Sequence, residues 1–592
     1  MKLNDFNKQI KEEYESNLEL KQKRIKTRPS KLSLVLIPVF AFAGLFIALV
    51  SSILINQAYV SNYNNNLKNS YDFDYESVDK IYKINNYAEL KETYEKNQPK
   101  ESWLDSLASL FSATSKGSDM EADFDTINGI NIDAGTASED ALPNGASQFQ
   151  TNIQEQGVDE SDIAKCDGTY IYYLYYDEFD PYLKVYDLSG NTIIEQKIEF
   201  NKPNENFEYS IYYPSFYEYE KCKLYIRGKD IIIESYSAVL VYSFNNNSLE
   251  LKYSSSFKRL VESRLIDNSY YFIGCISYSN KEVNYDNLYY DGYSYYESIY
   301  RLYRFNLDNN DVESVDLADS YSSNYYMNLN YIAIATTIYY DSNTITAIKL
   351  FDVDLKPLGV YRVKGRLNDN FAIDIEDDLL RVVSTNVCQK KEQVNNLVIF
   401  DLKEEKRIGI IEQGLGEEFE TVRSVTFDGD KCFVVTFFTT DPLYEIDLSD
   451  PTNPTIIDSY KAPGYSSYLK TFIVDNENYV LGLGIIDFYN KISLYKDEDE
   501  NVQIGEDYII TNNTYSMFYD YHAYFFYVSD AEKAIYFGTI RTYDKYTIYK
   551  IDVTTGDIIE YKNIDIAGQT RCFMINSVIY VPTRTKLVSE NL

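Results

Sequence analysis

The chain has 592 residues, too many for one small domain, and 45% of them are hydrophobic, which excludes a mostly disordered protein. Lys and Arg number 56 against 91 Asp and Glu, and the resulting net charge of −35 excludes a nucleic-acid grip, which needs a basic stripe against phosphates. A single histidine, His522, excludes a multi-histidine metal centre, and the low content of Gly (24) and Pro (13) excludes collagen-like and Pro-rich classes.

Tyr is over-represented, with 61 copies against 31 Phe. Strand propensity with a compositional bias is the plainer reading, and a surface of stacking platforms is the functional one.

The N-terminal 31 residues carry Lys21, Lys23, Arg24, Lys26, Arg28 and Lys31 ahead of the uncharged run 32–55, LSLVLIPVFAFAGLFIALVSSILI. Twenty-four such residues suffice to cross a bilayer as a helix, and the next basic residue is Lys68. That asymmetry predicts a cytoplasmic tail at 1–31, an uncleaved signal-anchor at 32–55 and an extracellular remainder.

Residues 56–147 read as an extracellular stalk. A weak helical period over 75–97 is followed by SWLDSLASLFSA, with the only Trp, and then by a small, polar, acidic stretch expected to be a flexible linker.

From residue 148 the chain is expected to be all-β. Segments such as TYIYYLYY, YLKVYDLSG and NTIIEQKIEF repeat one plan: alternating strands, tight Asp/Asn/Gly turns, and an Asp closing the third strand. A four-stranded unit recurring every 40–50 residues or so predicts a β-propeller. Units fall at 162–200, 210–257, 259–318, 321–365, 366–415, 418–463, 464–511 and 513–562, with a three-stranded piece at 566–592. Eight blades are expected, or nine if that piece counts. The extended piece QFQTNIQ, 148–154, is expected to supply the missing outer strand beside 585–592.

Four stretches resemble the bacterial and archaeal secreted β-propeller-domain family: TNIQEQGVDESDIAKCDGTYIYYL, VESRLIDNSYYFIG, the long block from VRSVTFDGDKCFVV to KAPGYSSYL, and TRCFMINSVIYVPT. The resemblance spans the whole head and implies an extracytoplasmic propeller with no established catalysis. The chain departs from that family's pattern at Thr426, where Arg is expected before the Phe kept at Phe427, and at Lys470 and Thr471, where His-Pro is expected.

Several residues are candidates for a site. Arg264 and Arg571 project to one face of inner strands, where they form either an anion-binding floor or ion pairs that hold the ring together. Tyr465, Ser466, Ser467 and Tyr468 are expected on a rim loop between two blades, as a crossover or a sugar- or peptide-binding loop. Asp520 and His522 share a strand face, but no nucleophile elbow accompanies them, so a structural histidine is expected. The Asp-rich DLSDPTNP reads as turn chemistry, the six scattered Cys as isolated thiols, and the Tyr-rich insertion YDNLYYDGYSYYESIYRLYR, 285–304, as either bias or a binding surface. No metal or cofactor is expected.

The leading functional expectation is a membrane-anchored, extracytoplasmic binding module at the cell surface, for a cell-wall glycan, a peptide or a surface protein. The alternatives are a carboxylate-dependent hydrolase or lyase using the propeller channel, and a structural envelope assembly protein.

Overall fold

Period-two alternation with little Gly or Pro forces short strands, and polar turns fold each strand back on its neighbour. The computed structural model describes residues 78–97 and 152–592, apart from 179, 201–221, 258, 277–282, 293–297, 320–322, 341–342, 387–394, 418–419, 438–440, 463, 488, 498–501 and 512–519. The anchor 32–55, Trp103, Cys388 and the acidic linker lie outside the described residues. Among the described residues no helix is long and apolar enough to cross a membrane.

Nine sheets follow one another in the chain, at 164–197, 223–256, 259–319, 323–364, 373–411, 421–462, 465–510, 525–565 and 573–591. We call them blades 1 to 9. Each sheet falls on the unit expected for it, except that the outer strand of blade 8 runs to Asp565, past the expected 562, and that blade 3 takes in a strand from 82–84; the count is nine, not eight. Blades 1 to 8 have four or more strands, and blade 9 has three: Phe573–Ile575, Val578–Pro582 and Leu587–Asn591.

The Asp that ends a third strand is turn chemistry, as expected. Asp187 Oδ1 accepts from Ser189 N (2.9 Å) and Asn191 N (2.8 Å), and Asp447 Oδ1 from Ser449 N (2.9 Å). Asp552 Oδ1 accepts from Thr554 N (2.8 Å), and Asp450 in DLSDPTNP from Thr452 N (3.0 Å).

Apolar clusters join each blade to the next, and one of them closes the ring. Ala164, Ile171, Tyr173 and Tyr186 of blade 1 are buried with Phe573, Ile575 and Tyr580 of blade 9. Tyrosine explains part of this cohesion. Its ring fills the space between blades while its hydroxyl reaches the neighbouring backbone. Tyr186 OH donates to Thr583 O (2.7 Å), Tyr173 OH to Gln569 O (2.7 Å) and Tyr271 OH to Val353 O (3.0 Å).

Part of the stretch read as stalk belongs to the ring. The strand Tyr82–Ile84 pairs with Leu288–Tyr290, which runs parallel to the outer strand of blade 3, Val312–Asp319. Asp79 forms a bridge with Val360 of blade 4, and its carboxylate lies 2.8 Å from Arg362 Nη2. Ile84 and Leu90 are buried with Ile276, Val283, Leu288 and Ile299. The helix Tyr87–Asn97 starts on a reciprocal cap: Asn86 Oδ1 accepts from Glu89 N (3.0 Å), and the Glu89 carboxylate from Asn85 N (2.9 Å). The described part of the Tyr-rich insertion is used in the same contact. Tyr290 and Tyr300 are buried, so those rings serve the core and not a binding surface.

Candidate functional site

The innermost strands surround a short segment that precedes blade 1, residues 152–162, NIQEQGVDESD. It turns at Glu155–Val158, where Val158 N donates to Glu155 O (3.1 Å) and Gly157 takes a left-handed φ of 82°. Before the turn, Asn152 Nδ2 donates to Tyr468 OH of blade 7 (2.7 Å), and Gln154 Nε2 to Asn370 O at the start of blade 5 (3.1 Å). After the turn, Asp159 forms a β-bridge with Leu265 of blade 3, and Asp162 one with Leu224 of blade 2. This overturns the expected clasp: residues 152–154 lie on the axis and not beside blade 9, and 148–151 lie outside the described residues. Among the described residues the outer strand of blade 9, Leu587–Asn591, pairs only with Val578–Pro582.

The segment is acidic, and cations from several blades meet it. Arg571 of blade 9 places Nε 2.8 Å from both Asp162 carboxylate oxygens and Nη2 2.8 Å from Asp520 Oδ2. Arg264 of blade 3 lies 2.6 Å from Glu262 and 3.5 Å from Glu160. Lys165 of blade 1 lies 2.6 Å from Asp159. Of the two readings of Arg264 and Arg571, the ion pairs are what the structure has. Both guanidiniums are buried, and each is answered by one carboxylate of the lead-in segment, Glu160 or Asp162, and one from the blades, Glu262 or Asp520.

His522 sits at the centre of this network. Its ring stacks on Tyr521, with centroids 4.1 Å apart. Nε2 lies 3.0 Å from Glu160 Oε2, and Nδ1 lies 3.6 Å from Asp520 Oδ1. Residues 521–523 form a 3-10 turn, not a strand, yet the Asp–His proximity expected from alternation is present. Burial opposes the imidazolium, but the Asp520 and Glu160 carboxylates beside it outweigh that and raise the histidine pKa. Burial also opposes ionisation of Glu160, yet Arg264, then His522 and Tyr521, hold its carboxyl well below the usual range. At Asp520 burial is likewise overcome, by Arg571, His522 and Lys223, and its pKa is lowered.

A second acid group lies at the turn. Glu155, half-buried, is pushed up to about 8, first by burial and then by the Asp374 carboxylate, against a hydrogen bond from Tyr326. Burial raises Asp374 as well, against the pull of Arg381, whose Nε donates to Asp374 Oδ2 (2.5 Å) and whose Nη2 donates to Glu376 (2.7 Å).

The expected rim loop is a strand. Tyr465–Val474 is the innermost strand of blade 7, with a bulge between Ser466 and Tyr468. Ser466, Ser467 and Tyr468 are buried, and Ser467 Oγ donates to Leu483 O (3.3 Å), so these residues form no exposed loop. The cause is steric. Gly464, at φ 80°, stands where a Cβ would lie 2.5 Å from Ile485 O, and small serines let the strand approach Gly482. Tyr468 does belong to the site, through Asn152.

The five described cysteines are free thiols. Burial pushes Cys166 and Cys222 up to about 12, which leaves them unreactive. Among the described residues no cluster of His, Cys, Asp and Glu could hold a metal ion.

Nine radially arranged sheets around a common axis define the class, a β-propeller. The chain belongs to the β-propeller domain family, whose model matches residues 149–274 and 269–592. It is 36% identical over 193 residues to an uncharacterised protein of Archaeoglobus fulgidus, covering 32% of this chain and 29% of that one. It is 30% identical over 243 residues to the uncharacterised protein MJ1554 of Methanocaldococcus jannaschii, covering 40% and 36%. The matches thus span about a third of the length of these relatives. Similar solved structures include Saccharomyces cerevisiae Sqt1 (TM-score 0.35, 8% identity, covering 73% of this chain and 100% of that one). Another is apo AztD of Citrobacter koseri (TM-score 0.32, 12% identity, covering 75% and 92%).

Proposed function

We propose that this chain is a membrane-anchored, extracytoplasmic propeller that binds a ligand or a protein partner at the cell surface. The observation that carries the reading is the filled axis: the lead-in segment occupies it and pairs its charges there, which leaves the rims and outer strands for recognition. Ile457, Ile509 and Ile559 are exposed on the outer strands of blades 6, 7 and 8 and offer apolar contact to a protein. With a net charge of −35, a neutral or basic partner is favoured over an anionic wall polymer. The test is retention of envelope fractions on an immobilised 78–592 fragment, which holds every described element. Saturable binding of one component supports the reading, and its absence from all fractions counts against it.

A carboxylate-dependent hydrolase or lyase is favoured by one observation, Glu155, whose carboxyl is pushed up to about 8 by burial and then by the Asp374 carboxylate, as a general acid requires. Hydrolysis of a glycan or peptide by the wild-type chain that is lost in a folded Glu155→Gln variant would establish it. Equal turnover in both proteins would remove it.

A further inference from the structure

We propose that His522 is a proton-dependent latch that holds the acidic segment 152–162 on the propeller axis and lets it go when the imidazolium loses its proton. The geometry is specific to the charged ring. Nε2 faces Glu160 at 3.0 Å and Nδ1 faces Asp520 at 3.6 Å, and both oxygens are acceptors when ionised. Only the imidazolium has two N–H donors, and a neutral ring turns a lone pair toward one of these carboxylates.

The charges facing the ring come from every element around it. Glu160 and Asp162 come from the segment, Asp520 and the stacked Tyr521 from the ring's own turn, Arg264 from blade 3 and Arg571 from blade 9. Lys223 of blade 2 acts on Asp520, and Glu262 pairs with Arg264. Against the four carboxylates Glu160, Asp162, Glu262 and Asp520, the three fixed cations Arg264, Arg571 and Lys223 are joined by a fourth only while His522 holds its second proton. Loss of that proton leaves an excess negative charge in a buried site, which is relieved by moving the Glu160 and Asp162 carboxylates away from it. The segment that carries them belongs to no sheet and its backbone meets blades 2 and 3 only at the isolated bridges of Asp162 and Asp159, so its place on the axis depends on its side-chain bonds, those of Glu160 and Asp162 and those of Asn152 and Gln154 before the turn.

His522 is the only histidine of the chain, so its titration is read directly. Full-length protein labelled at histidine gives one imidazole signal set by NMR. The latch predicts an imidazolium at neutral pH whose loss at higher pH coincides with exposure of 152–162. Exposure is followed by hydrogen exchange, corrected for intrinsic rates and referenced to the blade 4 strand Tyr331–Tyr340. Opening should grow by about tenfold per pH unit between the value of an exposed histidine, roughly 6.5, and the latched value. His522→Gln should open the segment at all pH values and abolish the slope. Glu160→Gln, which removes one of the two carboxylates without touching the ring, should flatten it. A neutral imidazole at pH 6.5, a segment equally protected at pH 6 and 9, or an unchanged slope in either variant overturns the proposal.

Discussion

Arg571 shows how much of this ring rests on single side chains. It is buried and binds Asp162 and Asp520, two groups from opposite ends of the head sequence. Arg571→Met should lower stability by about 3–5 kcal/mol, the usual cost of leaving buried carboxylates unpaired. Arg571→Lys should recover only part of that, because an ammonium cannot fork to both partners. Thermal unfolding of the two variants beside the wild type checks both expectations.

The pH dependence of stability follows from the same residues. Glu155 and His522 are raised in the fold, so what they contribute is complete at low pH and is lost as pH rises. For Glu155 the loss runs from its ordinary 4.5 up to about 8, and for His522 it begins above 6.5. Glu160 and Asp520 are lowered, so their contributions are present above the ordinary carboxylate range and are lost as pH falls. For these four groups together the contribution to the thermal midpoint peaks at roughly pH 4.5–5, where the lowered carboxylates are already ionised and Glu155 has only begun to lose its proton. Glu155→Gln should flatten the decline between pH 5 and 8, as read by scanning calorimetry.

At the scale of elements, the strap 78–97 alters what counts as the folded head. Ile84 lies in an apolar pocket built from blade 3 and its insertion, so Ile84→Ala should cost about 2–5 kcal/mol of whatever holds the strap. The local readout is faster hydrogen exchange in Tyr82–Ile84 and Leu288–Tyr290, with blade 7 unaffected. A head begun at residue 148 lacks this strand and should express less stably than one begun at 78. The strap was hard to read because its strand has three residues and its partner strand another three. Neither shows enough alternation to register, and their pairing joins positions about 200 residues apart. The inner strand Tyr465–Val474 was misread for a related reason: Gly-Tyr-Ser-Ser-Tyr has loop composition, but close approach at the axis selects the same small residues.

For the whole molecule, ring closure is a matter of face packing. Blade 9 ends in an outer strand with one strand partner, and the join to blade 1 is made by buried side chains and tyrosine hydroxyls. Phe573→Ala, at the centre of that join, should lower the thermal midpoint by several degrees, from a cost of about 3–5 kcal/mol. Tyr186→Phe removes one buried hydrogen bond and should cost about 1 kcal/mol. If closure depended on an edge strand instead, neither change would exceed its equivalent at another blade junction, such as Phe433→Ala between blades 6 and 7.

The all-β class, the nine-fold repeat and the turn role of the strand-ending Asp residues are legible in the residues alone, because alternation and turn chemistry are local and recur from blade to blade. Arg264, Arg571, Asp520 and His522 also stand out there, as isolated charges in apolar strands, but their partners are fixed by the closed ring. Glu160 and Asp162 look like ordinary linker acids in EQGVDESD, and nothing nearby in sequence shows that a histidine some 360 residues away will face one of them. Charges attract over a few ångströms of space, and the closing of a ring, not the order of the chain, brings these groups within that distance.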